Sequence, residues 1–304
     1  MPKGYVFRDY GGPETEALID VPELAPGAGE LLVRVRAAGV NPVDWKYRAG
    51  YLKSFVTKEM PAVFGQEVAG VVAGLGEGVD GFDVGDEVFG SATSGGYAQY
   101  ALVPVATAAA KPPSVSFNDA STLPVAAATA YDGVQQLELR PGATLLVTGA
   151  GGGVGVAVVQ IARAQGATVI GTASPGKREF VESLGATHVA YGPGVADRVR
   201  AAAPGGVDAI YDTVGGDALR DVAETLADRS MLVSAADATL VKELGGASVR
   251  RARNAAVLEA CAALVASGAL DPRVTVVRPL EEAGAALALV EAGHATGKVV
   301  VEVA

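Results

Sequence analysis

The pattern of apolar and polar positions changes character along the chain. Between residues 30 and 110, apolar residues occupy every second position in short runs, as in ELLVRVRAAGV (30–40), and glycine or aspartate separates the runs. Alternation of this kind is typical of strands with one buried face. The first part is therefore predicted to be β-rich, without a long helical period before about residue 118.

From residue 144 onward, continuous apolar runs alternate with helical periods. The strand TLLVTG (144–149) precedes a helix near 153–165, and further strands are predicted near 168–173, 207–215 and 231–236. Buried strands that alternate with helices indicate a parallel sheet covered on both faces. Two more helices and two strands follow, and the last strand, GKVVVEVA, again resembles the first part.

Composition and charge narrow the class of protein. The 304 residues suffice for two domains, and 50% hydrophobic residues argue against disorder. A net charge of −10 would repel nucleic acid. No apolar run approaches the roughly 18 residues that a membrane span needs, and the first residues lack the apolar core of a signal peptide. We therefore expect a cytoplasmic protein that binds neither nucleic acid nor membrane.

Few residues are available as ligands for a transition metal. The chain has one cysteine, Cys261, and two histidines, His188 and His294. A zinc site usually takes three or four protein ligands, most of them cysteine or histidine. The composition therefore predicts that no zinc site is built on these residue types.

The segment GAGGGVG (149–155) follows a predicted buried strand and opens a predicted helix. Its glycines at positions 149, 152 and 155 allow a tight turn, close approach of a pyrophosphate and close packing of helix on strand. Backbone N–H groups at the start of a helix favour an anion. We interpret this segment as a dinucleotide-binding loop.

The end of the next strand favours one nicotinamide cofactor over the other. A carboxylate at this place would bind the ribose hydroxyls of NADH, but the chain continues with Ser174, Lys177 and Arg178. A hydroxyl and two cations suit the additional phosphate of NADPH. The alternative is a solvated pair of cations at the start of a helix.

Several motifs over nearly the whole chain resemble the medium-chain dehydrogenase/reductase superfamily. The segments GVNPVDWKYRAG (39–50), FGQEVAGVVAGLGEGVDGFDVGDEVFG (64–90) and LPVAAATAYDGV (123–134) are similar to its quinone oxidoreductase, or zeta-crystallin-like, branch. TASPGK (172–177) is also similar to enoyl reductases of polyketide synthases. The resemblance implies an α/β protein with a GroES-like β-barrel catalytic domain and a Rossmann domain, with the cofactor in the cleft between them. We place the catalytic domain at 1–117 and 268–304, and the NADPH-binding domain at 118–267.

The resemblance also bears on the metal. Positions that match the zinc ligands of related alcohol dehydrogenases carry Asn41, Gln66 and Val125, while Glu67 and Asp44 match positions near that metal. Without a Lewis acid, the feasible hydride acceptors are a quinone or an α,β-unsaturated carbonyl. The resemblance and the composition thus agree on a zinc-free reductase.

Candidate site residues follow from the motifs and from the ends of the parallel strands. The resemblance implies that Asn41 lies beside the nicotinamide, that Thr129 contacts the cofactor, and that Trp45 influences product stereochemistry. The candidate catalytic residues are Asn41, Trp45, Lys46 and Tyr47, and Tyr51 is a further candidate for the acceptor pocket. The candidate cofactor-binding residues are Asn41, Thr129, Gly149, Gly152, Gly153, Val154, Gly155, Ser174, Lys177, Arg178, Tyr191, Val214 and Ser234.

Alternatives remain at two levels. Instead of a quinone or enone reductase, the chain could be an enoyl-thioester reductase of a biosynthetic pathway or a non-enzymatic NADPH-binding protein. The segment GASVRRARN (246–254) stands where relatives carry an apolar strand that pairs sheets across a dimer. Its cations, Arg250, Arg251 and Arg253, suit an exposed strand edge or contact with a phosphate or anionic substrate. A homodimer is therefore left open.

Overall fold

A computed structural model describes residues 1–304 except Phe55, Thr57 and Lys58. The chain forms two compact units. The first comprises Met1–Val125, Arg253–Ala266 and Arg273–Ala304, and the second comprises Ala126–Ala252 and Ser267–Pro272.

The first unit contributes both the first and the last elements of the chain. It begins with β1 (Lys3–Phe7), β2 (Glu16–Asp20), β3 (Glu30–Val40), α1 (Pro42–Arg48), β4 (Ala62–Val63), β5 (Glu67–Leu75), β6 (Glu87–Ser91), β7 (Tyr100–Pro104), β8 (Ala108–Ala110) and α2 (Phe117–Ala120). The second unit contains α3 (Ala128–Leu137), β9 (Thr144–Thr148), α4 (Gly153–Ala164), β10 (Thr168–Ala173), α5 (Arg178–Ser183), β11 (Thr187–Ala190), α6 (Val195–Ala202), β12 (Ala209–Asp212), α7 (Gly216–Ala223), β13 (Leu232–Ser234), α8 (Ala238–Glu243) and β14 (Ala247–Ser248). The chain ends in the first unit with α9 (Ala255–Ala266), β15 (Val274–Pro279), α10 (Ala283–Glu291) and β16 (Lys298–Glu302).

The first unit is built around β3. This strand pairs antiparallel with β5, β7 and β16, and the sheet continues in the order β15-β16-β3-β5-β6-β8. Leu31, Val33 and Val35 of β3 face inward and are buried, as the alternation in the sequence predicts. A smaller sheet of order β2-β1-β4 also contributes to this core through Phe7.

The second unit is a doubly wound sheet. Its strands run parallel in the order β11-β10-β9-β12-β13-β14, so the order reverses between β9 and β12. Leu146, Ile170 and Ile210 form part of a core with α6, α7 and α8. In sheets of this kind, ligands bind beyond the carboxyl ends of the strands at the reversal. This arrangement confirms the predicted α/β fold class with a doubly wound parallel sheet in one unit.

Some features differ from the sequence-based expectations. Helix α1 was not predicted, because its seven residues are too few to show a helical period. The structural units divide after Val125 and after Ala252, and α9 packs on β8 in the first unit, whereas the sequence placed residues 118–267 in one domain. The segment 246–254 forms only the two-residue strand β14, so it offers little sheet edge.

Candidate active site

Helix α1 carries the predicted catalytic residues of the first unit. Asn41 is its N-cap residue, Pro42 occupies the first turn, and the Asp44 carboxylate accepts a hydrogen bond from the Asn41 backbone N–H at 2.9 Å. A proline in the first turn and an acceptor for the first free N–H both favour helix initiation. Asn41, Pro42 and Asp44, in the segment N-P-V-D, were the sequence signal that could have revealed the helix.

The side chain of Asn41 is buried and fully engaged with neighbouring residues. Its Nδ2 donates to Glu67 Oε1 at 2.7 Å, and its Oδ1 accepts from Lys298 Nζ at 2.8 Å. An ammonium must face the amide oxygen and a carboxylate the amide nitrogen, so the two partners fix the orientation of the amide. The predicted contact of Asn41 with nicotinamide stays a prediction.

Glu67 and Lys298 form a buried ion pair that the sequence did not reveal. Lys298 Nζ lies 3.0 Å from Glu67 Oε1 and also donates to the Val40 carbonyl at 3.1 Å, while Glu67 Oε2 accepts from the Val125 backbone N–H at 2.6 Å. The side chains of Lys298 and Glu67 are 4% and 0% exposed. Since the partners are 231 positions apart in the chain, no local pattern could link them.

The residues at the positions that match metal ligands do not form a donor set for zinc. The Asn41 side-chain amide and the Val125 backbone N–H both donate to the Glu67 carboxylate. The backbone carbonyl of Gln66 accepts from the Ala92 N–H at 3.0 Å. Zinc needs several histidine, cysteine or carboxylate ligands directed at one point. Over residues 1–304 apart from positions 55, 57 and 58, no group of three or more such side chains is placed to hold a metal ion. The donors present therefore do not fit a catalytic zinc.

A second buried carboxyl, that of Asp44, lies beside this ion pair. Its Oδ2 accepts from Tyr97 OH at 3.0 Å, and its Oδ1 has no hydrogen-bond partner among the described residues. Burial raises the pKa of Asp44 to about 7, and the negative charge of Glu67 acts in the same direction, although the bonds from Asn41 N and Tyr97 OH lower it. Asp44 thus gains or loses its proton near neutral pH.

Two aromatic residues and a lysine lie together on α1 and just after it. The Trp45 and Tyr51 rings meet edge to face at 5.9 Å, and Lys46 Nζ lies 5.8 Å from the Trp45 ring centre. Trp45 Nε1 is buried and has no partner in the described part of the chain, while Tyr51 is 68% exposed. Tyr47 packs against the core of the first unit. The structure thus brings Trp45, Lys46 and Tyr51 together.

Arg48, the last residue of α1, was not anticipated as a site residue. It is buried, donates to both carboxylate oxygens of Glu291 at 2.7 and 2.8 Å, and bonds Glu16 and the Gly11 carbonyl. Because its partners lie on β2 and α10, Arg48 fixes the end of α1 to both elements. The sequence gives no signal for this, since Glu291 is 243 positions away.

In the second unit, the glycine loop makes a tight turn and packs closely on the helix that follows it. Gly149 has a φ of +66°, where a side chain would be strained, and a Cβ on Gly155 would lie 2.2 Å from the Gly149 carbonyl oxygen. Helix α4 begins after Gly152 with Gly153 and Val154, and its N-cap residue, a glycine, makes no side-chain capping hydrogen bond. Backbone N–H groups at the start of a 12-residue helix fit the pyrophosphate of a dinucleotide.

The end of β10 brings one of the two predicted cations to this loop. Ser174 begins a 3-10 turn, Pro175–Lys177, and the stem of Lys177 lies over Gly151, where a Cβ would come within 2.8 Å of Lys177 Cδ. Burial lowers the pKa of Lys177. Arg178 instead is exposed and pairs with Glu182 at 3.4 Å. The structure therefore places Lys177 beside the glycine loop and exposes Arg178 to solvent.

The remaining predicted cofactor residues differ in accessibility. Tyr191 and Val214, which follow β11 and β12, are 60% and 53% exposed. Ser234 is buried, donates to Asp212 Oδ2 at 2.5 Å and accepts from the Asp237 N–H at 3.0 Å. Its hydroxyl is thus engaged within the protein.

Thr129 is buried near a cation of the unusual basic segment. Arg251 donates to its hydroxyl and to Asp132 Oδ2 at 3.2 Å, and Tyr211 OH donates to the Thr129 carbonyl at 2.7 Å. Arg251 therefore joins α3 to the chain after β14 through Thr129 and Asp132.

Comparison with known proteins agrees with this architecture. The alcohol dehydrogenase GroES-like domain matches residues 27–113, and the zinc-binding dehydrogenase family matches residues 184–301. The NADPH-dependent alkenal/one oxidoreductase of Arabidopsis thaliana chloroplasts is 32% identical over 98% of this chain and 79% of that protein. Alignments with several other curated relatives span only 50–59% of those proteins.

Solved structures show the same likeness over full length. The quinone oxidoreductase of Coxiella burnetii has a TM-score of 0.89 and 30% identity, with 100% of this chain and 99% of that chain covered. The CurK enoyl reductase has a TM-score of 0.88 and 28% identity, with the same coverage. The two domains and their sites define a medium-chain dehydrogenase/reductase, a fold that implies a nicotinamide cofactor. Within that superfamily, the chain belongs to the quinone oxidoreductase branch.

None of the helices in the described part of the chain is long and apolar enough to cross a membrane.

Proposed function

We propose that this protein is an NADPH-dependent, zinc-free reductase that transfers hydride to a quinone or an α,β-unsaturated carbonyl. The observation that carries the proposal is the buried Glu67–Lys298 pair, which engages Asn41 and Val125 at two of the positions that match metal ligands. These contacts support a reaction in which no metal acts as a Lewis acid to form an alkoxide. Acceptors that take hydride without a metal are activated by conjugation.

The second unit would hold the cofactor. The start of α4 offers backbone N–H groups to the pyrophosphate, and Lys177, across Gly151, offers a cation to a phosphate. The end of β10 carries Ser174 where an acid would favour NADH. When bound, NADPH supplies the hydride.

The first unit would bind the acceptor through α1. Trp45 and Tyr51 provide flat apolar surface, and the Lys46 ammonium beside them would stabilise negative charge that develops on an acceptor oxygen. Lys46 and Tyr47 are the candidate side-chain donors of the proton, and solvent is the alternative donor. The names of the relatives, which include quinone and alkenal/one oxidoreductases, support this range of acceptors.

An enoyl-thioester reductase is the second candidate function, because the CurK enoyl reductase matches the whole chain. The test is NADPH oxidation against quinones, 2-alkenals and enoyl thioesters, each with and without a chelator. We expect turnover of quinones or alkenals that the chelator leaves unchanged. Preference for thioesters would favour the second candidate, binding without turnover would indicate a non-enzymatic role, and loss of activity with chelator would overturn the zinc-free proposal.

The choice of cofactor has its own test in Lys177 and Arg178. Lys177→Ala should weaken NADPH binding by about 1–3 kcal/mol, since it removes a charged contact to phosphate, and should affect NADH less. Arg178→Ala is the matched control, because Arg178 is exposed and paired with Glu182. Equal NADPH affinity of wild type and Lys177→Ala would contradict the assignment.

A further inference from the structure

A buried carboxylate joins the carboxyl ends of three parallel strands in the second unit. Asp212, the last residue of β12, is fully buried, and its Oδ1 accepts from Thr148 Oγ1 at 2.6 Å, at the end of β9. Its Oδ2 accepts from Ser234 Oγ at 2.5 Å, at the end of β13. Backbone N–H groups of Val214 and Gly215 complete its hydrogen bonds at 3.0–3.1 Å.

Thr148 passes this restraint on to the chain that follows β12. Because its hydroxyl donates to Asp212, it can accept from the Thr213 N–H, at 3.0 Å. Thr213 Oγ1 in turn donates to the Thr148 carbonyl at 2.6 Å. The two threonines therefore hold each other, and Asp212 fixes the direction of the hydroxyl on which the arrangement depends.

The first turn of the glycine loop packs directly on this group. Gly149 follows Thr148 with a φ of +66°, and a Cβ there would lie 2.5 Å from Thr213 Oγ1 and 2.9 Å from Val214 Cγ2. Any shift of Thr213 would therefore change the space in which the loop turns. The carboxylate holds both sides of the reversal in the strand order, the loop after β9 and the chain after β12.

We infer that Asp212 is a positioning residue for the cofactor, which sets the glycine loop through Thr148 and Thr213 without touching the ligand. The inference rests on the proposed function, because it presumes that this loop binds the pyrophosphate of a nicotinamide dinucleotide. Affinity depends on N–H groups held in place before binding, so a looser loop weakens binding even in a folded protein.

The test measures dissociation constants for NADPH by fluorescence titration, together with thermal stability. Thr213→Val and Thr148→Val keep the shape of the side chain and remove its hydroxyl, and each should raise the NADPH dissociation constant about tenfold. Thr213→Ser keeps the hydroxyl and should restore near wild-type affinity. Asp212→Asn should weaken binding similarly, and adding Thr148→Val to it should have much less than the additive effect.

A matched control separates positioning from general destabilisation. Val199→Ala opens a cavity in the core of the same unit, at a fully buried residue of α6, and should lower the melting temperature while leaving NADPH affinity unchanged. Threonine variants that bind NADPH within twofold of wild type would overturn the inference alone. Failure of the wild-type protein to bind either NADPH or NADH would overturn the proposed function and the inference with it.

Discussion

The two units bury a carboxylate in different ways. In the first unit, Glu67 is neutralised by the Lys298 ammonium at 3.0 Å, with one amide and one backbone N–H as further donors. In the second unit, Asp212 receives only neutral donors, two hydroxyls and two backbone N–H groups, among the described residues. Both side chains are fully buried.

This difference determines how the stability of each site should respond to mutation. A buried charge pair depends on both partners, because removal of one leaves an uncompensated charge in a medium of low polarity. A carboxylate held by several neutral donors loses one contact at a time, and each is worth only a fraction of the whole. The first site is therefore expected to respond to mutation in an all-or-none manner and the second in steps.

Substitution of Lys298 should have the largest effect. Lys298→Met keeps much of the stem but leaves the Glu67 carboxylate buried without a cation, so we expect a loss of about 3–5 kcal/mol in the free energy of unfolding. Denaturant unfolding at neutral pH measures this loss. The same measurement applies to Glu67→Gln. This variant leaves the Lys298 ammonium without a carboxylate, so we expect a similar loss in the free energy of unfolding.

The double variant Lys298→Met/Glu67→Gln provides the control. With both charges absent, most of the loss should be recovered, since replacement of a whole buried pair is often nearly neutral. Additive losses in the double variant would show that the side chains act separately, and the contrast with Asp212 would then disappear.

Asp44 is a third buried carboxyl to set beside Glu67 and Asp212. Its Oδ2 accepts hydrogen bonds, but its Oδ1 has no partner among the described residues. Its folded-state pKa is about 7 and its ordinary value is 3.8, so between these values the folded state binds more protons than the unfolded state. Stability from this group is therefore greatest below about pH 4 and falls as the pH rises toward 7, by up to about 4 kcal/mol. Asp44→Asn abolishes the titration and keeps an acceptor for Tyr97.

The measurement is the unfolding free energy of wild type and Asp44→Asn from pH 4.5 to 8. Relative to wild type, Asp44→Asn should gain stability as the pH rises toward 7, and the difference should level off above that value. Parallel curves for the two proteins would show that burial does not disfavour the Asp44 carboxylate.

Most of the fold could be predicted from local patterns in the sequence. The alternation in β3, the glycine loop before α4 and the order of strands and helices in the second unit each depend on residues within about ten positions, which a sequence displays directly. Helix α1 was not predicted because two turns are too short to show a helical period, although Asn41, Pro42 and Asp44 marked its start.

The support around the candidate site was not predictable in this way. Glu67 pairs with Lys298 across 231 positions, and Thr148 meets Asp212 across 64. Such partners become neighbours only through the topology of the sheets, and each residue viewed alone looks like an ordinary polar side chain. The sequence could propose Ser234 as a cofactor contact, but it could not show that its hydroxyl is engaged with Asp212.

The smallest effect is expected from single donors of Asp212. Ser234→Ala removes one hydroxyl and leaves Thr148 and the backbone N–H groups in place, so it should cost about 1–3 kcal/mol of unfolding free energy. Thr148→Val should cost a similar amount, and the two losses, measured by denaturant unfolding, should accumulate in steps in the double variant. A collapse of stability with either single change, as large as that expected for Lys298→Met, would mean that neutral donors protect a buried carboxylate no more gradually than a cation does.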